Sequence, residues 1–181
     1  MLKKLALVVV CAVAISLASV LGYAATKPDT FHISRTASIK APPEKIFPLI
    51  NDLRRNVSWS PFEKDPAVKR SFGEIVSGQG AVYAWDGNRD VGAGSIEITE
   101  ATEPTKVEMR LNMVRPFEVH NTVEFTLEPA GNAGMTNVTW AMYGPQPLLA
   151  KIVSTFIDCE KMVGGDFEKG LANLKAVAEA R

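Results

Sequence analysis

The sequence predicts an α+β fold, in which one curved antiparallel sheet of seven strands packs around a long C-terminal helix. Three observations predict it. A run at 31–40 alternates apolar and polar residues with strand period. Six further runs of that kind follow at hairpin spacing between 68 and 143. The last stretch, 147 to about 180, instead carries its apolar residues at helical spacing.

Each element has its own signal. In the first strand Phe31, Ile33, Arg35, Ala37 and Ile39 share one face. Ala41-Pro42-Pro43-Glu44 then opens a helix, because proline suits the first helical turn. Ile46, Phe47, Leu49 and Ile50 form its apolar side, and Pro48 is expected to bend or shorten it. Residues 51–65 read as irregular or as a second short helix around Trp59-Ser60-Pro61-Phe62. The predicted strands are 68–75, 80–86, 92–101, 106–114, 118–128 and 135–143. Ser77-Gly78, Gly87-Asn88, Glu103-Pro104, Arg115-Pro116 and Ala130-Gly131-Asn132 mark the turns. In the clearest strands, Val107, Met109, Leu111 and Met113 alternate with Lys106, Glu108, Arg110 and Asn112, and Val119, Val123, Phe125 and Leu127 with His120, Thr122, Glu124 and Thr126, so one side is apolar and one wet. The terminal helix has a stripe of Leu149, Ile152, Val153, Phe156, Val163, Phe167, Leu171 and Leu174. Gly164-Gly165 interrupts it and predicts a bend or a close approach to the sheet.

The chain divides into a targeting or anchoring segment (1–25), a linker (26–30) and one folded domain (31–181). Lys3-Lys4 precede an uncharged run at 5–25, which as a helix spans roughly 30 Å, about one hydrocarbon core. Two readings stay open. A cleaved signal sequence would end after Ala24; an uncleaved anchor would keep the run in the bilayer with the lysines on the cytoplasmic side. The weak Gly-Tyr-Ala site favours the anchor. Either reading puts the domain outside the cytoplasm, on the periplasmic side of a bacterial inner membrane or released from it. Lys plus Arg and Asp plus Glu both number 20, and basic residues adjoin only in short pairs such as Lys3-Lys4, never in a longer run, so nucleic acid is not an expected partner. Cys11 and Cys159 are too differently placed to pair.

The strand-to-helix junction at 39–47, the Trp59-Ser60-Pro61-Phe62 segment, the hairpin from Trp85-Asp86-Gly87 to Val91-Gly92-Ala93-Gly94, Thr139-Trp140 and the stretch 162–171 occur in an order that resembles the helix-grip fold. That is the fold of the SRPBCC, or START-like and birch-pollen-allergen, superfamily. The closer resemblance is to its bacterial polyketide cyclase/dehydrase and lipid-transport group. The resemblance implies a cavity between sheet and long helix. It implies no shared catalytic set, since members include binders, transporters and cyclases.

The expected ligand-binding residues follow from strand faces. Tyr83, Trp85, Trp140 and Met142 are aimed inward by alternation, as pocket wall or as plain core. Trp59, with Phe62, could lie at the sheet mouth as a lid. Phe156 belongs to the stripe of the terminal helix. Arg35 on an inward face needs a partner: an oxygenated headgroup, or a structural ion pair. Asn121 interrupts an apolar face and offers hydrogen bonds to ligand, backbone or water. No catalytic residue, metal or cofactor is expected. His32 and His120 both fall on the wet face, and the calcium-like spacing of Asp86, Asn88, Asp90 and Glu97 lacks the glycine such a loop needs. The leading expectation is a non-catalytic module that holds a lipid or other small hydrophobic molecule. A cyclase/dehydrase-like enzyme and an envelope interaction protein without a ligand are the alternatives.

Overall fold

A computed structural model describes residues 2–131 and 134–180. Asn132, in the turn expected at 130–132, and Arg181 lie outside the described residues. The elements in chain order are α1 (Leu2–Ala25), β1 (Thr30–Ile39), α2 (Pro43–Asn51), α3 (Leu53–Asn56), β2 (Lys69–Phe72), β3 (Val82–Asp86), β4 (Ala93–Thr102), β5 (Lys106–Arg115), β6 (Val119–Pro129), β7 (Thr136–Pro145), α4 (Leu148–Phe156) and α5 (Cys159–Glu179). The seven strands form one open sheet, as the sequence predicts, and their order is β1-β7-β6-β5-β4-β3-β2. The chain forms two compact units. Residues up to Phe31 and Pro145–Cys159 make one; His32–Gly144 and Glu160 onward make the other.

In the larger unit, alternation decides what the sheet buries. Val107 pairs with Phe125 and Met109 with Val123 across β5 and β6. Phe125 pairs with Trp140 and Leu127 with Val138 across β6 and β7. Cross-strand partners point to the same side, so these side chains make one inner face, and all of them are buried. The helix α5 supplies the cover. Gly164, Phe167, Gly170, Leu171, Leu174 and Ala178 recur every three or four residues and are buried. Two of these are glycines for a reason of space. A Cβ on Gly170 would collide with the Trp140 ring and Pro61, and one on Gly164 with the Arg35 guanidinium. The glycine interruption is therefore a close approach to the sheet. In α2, Ile46, Phe47 and Ile50 are buried, and the helix continues past Pro48 to Asn51.

Two expectations about elements need correction. The terminal helix is not continuous. It breaks at Ile157, whose backbone is extended (φ −120°, ψ 124°), so α4 and α5 are separate and the glycine pair lies inside α5. The strand expected at 68–75 is only Lys69–Phe72. Gly73 still bonds across, its N–H donating to the Val82 carbonyl at 2.9 Å, but the chain then leaves the strand and reaches a positive φ of 77° at Gly78.

In the smaller unit, α1 packs against α4. Its run Lys3–Ala25 is long and apolar enough to cross a membrane by length and composition. The pairing involves its end: Ala24 is fully buried, whereas residues 3–19 are exposed.

Candidate functional site

The inner sheet face has two ends. At one, Trp140 stacks on Phe167 of α5 at 4.3 Å between ring centres and lies 4.9 Å from Phe125. Trp59 closes on both edge-on, at 5.9 Å from Phe125 and 5.7 Å from Trp140. Its Nε1–H donates to the Leu49 carbonyl at 2.8 Å, and its own carbonyl accepts from the Asn173 amide at 3.1 Å. Trp59 is 1% exposed. It is a wall of the core and not a flap at the mouth, held to α2 through its indole N–H and to α5 through its carbonyl. Phe62 is the more open ring of that segment, edge-on to Trp140 at 6.2 Å. The Trp140 Nε1–H is buried without a hydrogen-bond partner, which costs about 1–3 kcal/mol.

At the other end the same face opens. Register places Tyr83 opposite Ile96, Trp85 opposite Gly94, and Ile96, Gly94 opposite Leu111, Met113. Ile96, Leu111, Met113, Tyr83 and Trp85 are all partly exposed. Phe72, Tyr83 and Trp85 form a stacked ladder, with centres 5.1 and 5.8 Å apart. Gly94 has no side chain because a Cβ there would press into the Trp85 ring. Asn121 lies opposite Leu111 and gives its amide to the Met142 sulfur at 3.9 Å, a weak contact that leaves most of its hydrogen-bonding capacity for other groups.

Polar groups at this end come partly from residues that sequence reasoning missed. The Tyr83 hydroxyl donates to Glu63 Oε1 at 3.3 Å, and Arg70 Nε donates to Glu63 Oε2 at 3.1 Å. Burial first, then the Glu63 carboxylate, pushes the Tyr83 pKa up to about 12. Tyr83 therefore stays protonated and donates at neutral pH. Arg70 was legible in principle, since it alternates with Phe72. Glu63 was not, because it comes from an irregular segment.

Arg35 has its structural partners. Its Nε donates to Glu168 Oε1 at 2.8 Å, a guanidinium N–H donates to the Ser34 carbonyl at 2.8 Å, and Glu160 lies 3.7 Å away. It borders an open groove of about 440 Å³ between β1 and α5, with Ala37, Glu168, Leu171 and Lys175. A second open groove of about 200 Å³ runs beside Arg70, Ala84 and Trp85. Phe156 lies in the smaller unit and is 71% exposed. Tyr83, Trp85, Asn121, Trp140, Met142, Trp59 and Arg35 all belong to the larger unit.

Among the described residues no three His, Cys, Asp or Glu side chains converge. The calcium-like segment is a hairpin turn. Asn88 Oδ1 accepts from the Asp90 and Val91 N–H groups, and Asp86 pairs with Arg115. The buried Asp65 holds this turn from below by accepting the Asn88 N–H at 2.9 Å. His32 is exposed and stacks on Tyr143, and exposed His120 bonds Asn112 at 2.7 Å, both away from the inner face.

Comparison with known proteins agrees with this geometry. Residues 30–179 match the family described as polyketide cyclase / dehydrase and lipid transport. No curated protein matches. Solved structures share the fold at low identity. A Mesorhizobium loti protein is 15% identical with a TM-score of 0.59, covering 81% of this chain and 96% of its own. The Aha1 dimer from Colwellia psychrerythraea is 16% identical with a TM-score of 0.59, covering 82% and 96%. A Mycobacterium smegmatis protein is 20% identical with a TM-score of 0.55, covering 83% and 92%.

Proposed function

Because the chain belongs to the polyketide cyclase/dehydrase and lipid transport family, whose fold suits hydrophobic ligands, we propose that the open end of its inner sheet face holds a lipid or other small hydrophobic molecule without transforming it. One observation carries the reading: a single apolar face is sealed at Trp140 and Phe125 but left partly exposed at Ile96, Leu111, Met113, Tyr83 and Trp85. Apolar surface of this kind, ringed by a few polar groups, is what small-molecule sites offer. The molecule's apolar body lies along β4 and β5. Its polar end meets the Asn121 amide, while Tyr83, three strands away in the same row and bonded to Glu63, lines the opposite side. Trp85 and Met142 flank it; Trp140 and Trp59 form the floor. Arg35 is part of the ion-pair frame that holds β1 to α5, and Phe156 belongs to the membrane side of the protein. At neutral pH Tyr83 stays protonated and Arg70 stays charged beside Glu63, so this end offers a fixed set of polar groups for holding a ligand.

The same proposal covers placement. Residues 1–25 anchor the chain in a membrane, 26–30 link it, and 31–181 form the binding domain outside the cytoplasm. A reporter active only outside the cytoplasm, fused after Arg181, should work; N-terminal sequencing that finds a chain starting at Ala25 would replace the anchor with a cleaved signal.

The ligand reading is tested by native mass spectrometry of the full chain released from detergent. A single co-purifying lipid or amphiphile per chain, lost on Leu111→Asp, supports it. A bare chain from several host membranes, and no uptake of added fatty acid, counts against it.

A further inference from the structure

The helix α4 is amphipathic in the wrong sense for a helix facing water. Leu148, Leu149, Val153, Phe156 and Ile157 are exposed, at 39–71%. Its polar residues are turned the other way. Lys151 is 6% exposed, and its ammonium meets Asp29 Oδ1 at 2.6 Å. Ser154 accepts from Lys27 Nζ at 3.1 Å and from the Gln146 amide at 3.2 Å, and donates to the Lys151 carbonyl. The Gln146 N–H donates to the Asp29 carbonyl at 2.7 Å. The segment after α1 is thus tied to α4 by polar bonds. The apolar face, with Leu149, Val153 and Phe156 at helical spacing, is left bare. Bare apolar faces of this size mark something that covers them.

What covers this one follows from where α4 sits along α1. It packs on the last turns of α1, where Val20 and Ala24 are covered, and not on the exposed residues 3–19. A span of Lys3–Ala25 rises about 1.5 Å per residue and ends at the depth of the lipid headgroups. Tyr23 and Lys27 mark that level. Tyr23 is exposed, and Lys27 Nζ lies 5.4 Å from the centre of its ring; an aromatic residue and a lysine at the end of a span are interface anchors. The bare face of α4 therefore belongs to a helix that packs beside this end of α1.

On this basis, and resting on the reading of α1 as an uncleaved anchor, we infer that α4 lies in the plane of the bilayer interface. Leu149, Val153 and Phe156 sink into the acyl boundary, and Lys151 and Lys27 stay with the polar linker. The partner is the lipid surface. α4 adds a second, in-plane contact to the single span, which fixes how the linker leaves the membrane.

Depth-dependent quenching tests this on the full chain in lipid nanodiscs. Cys11 and Cys159 are replaced by Ala. One cysteine is then placed at Val13, Leu149, Phe156 or Glu128 and carries an environment-sensitive dye. Dyes at 149 and 156 should be shifted to the blue, quenched by lipids with a shallow nitroxide and shielded from aqueous iodide. The dye at 13 should respond to deep nitroxides, and the dye at 128 to iodide alone. If 13 reports lipid while 149 and 156 report water, the anchor holds and the inference on α4 is overturned. Shielding of 149 and 156 from both lipid and iodide would assign the face to a protein and overturn it as well. If 13 also reports water, the anchor reading fails and the inference falls with it.

Discussion

Phe125 and Leu111 stand on neighbouring strands and the same side of one sheet, yet their surroundings differ. Phe125 is 1% exposed, between Trp59 and Trp140, with α5 closing over them. Leu111 is partly exposed, opposite Asn121 and Ile96. Alternation put both on the inner face. The cover, not the strand pattern, made one end a core and left the other available. The difference teaches where to look for each property: fold stability at the Trp140 end, ligand affinity at the Leu111 end.

The largest expected effect is at the sealed end. Phe125→Ala removes a ring from a filled cluster and should cost about 3–5 kcal/mol, read as a shift of the urea midpoint of the detergent-solubilised chain. Gly170→Ala drives a methyl into the Trp140 ring and Pro61. It should cost about 1–3 kcal/mol through overpacking. A neutral result would mean that α5 can lift off the sheet at no cost, and the two ends would no longer differ. Leu111→Ser should reverse the pattern. Stability should fall by about 1 kcal/mol or less, while binding of a fatty-acid probe weakens roughly tenfold or more, since burying a leucine side chain contributes about 1.5–3 kcal/mol.

The smallest effect is a pH dependence at the open end. The folded Tyr83 pKa, about 12, lies above the ordinary tyrosine value of 10.0. An unfolded chain loses this proton first, so the stability from neutral Tyr83 is fully present below pH 10 and declines as pH rises towards 12. Tyr143 is shifted in the same direction by burial. Tyr83→Phe should therefore remove part of the alkaline decline in urea midpoint. An unchanged decline would place Tyr83 in water and weaken its role as a shielded donor.

The sequence made the sheet legible because β5, β6 and β7 alternate over most of their length, broken on the apolar side at Asn121. It made α5 legible from Phe167, Leu171 and Leu174. The break at Ile157 was hidden because the apolar stripe runs through it: Leu149, Val153 and Phe156 have the spacing of a covered face but stay exposed. Spacing records that a face is apolar and not whether protein covers it. Trp59 was hidden for the opposite reason, since an irregular segment gives no period from which burial can be inferred. Glu63, the partner of Tyr83 and Arg70, comes from the same kind of segment.

Photocrosslinking tests the central claim most directly. A diazirine-bearing fatty acid is activated with the full chain in nanodiscs, and the labelled peptides are mapped. Labels on residues 94–98 and 109–113, removed by excess unlabelled fatty acid, are the predicted result. Labels confined to residues 2–25 and 148–157, with none on β4 or β5, would reduce the protein to a membrane-bound domain without a ligand and contradict the account.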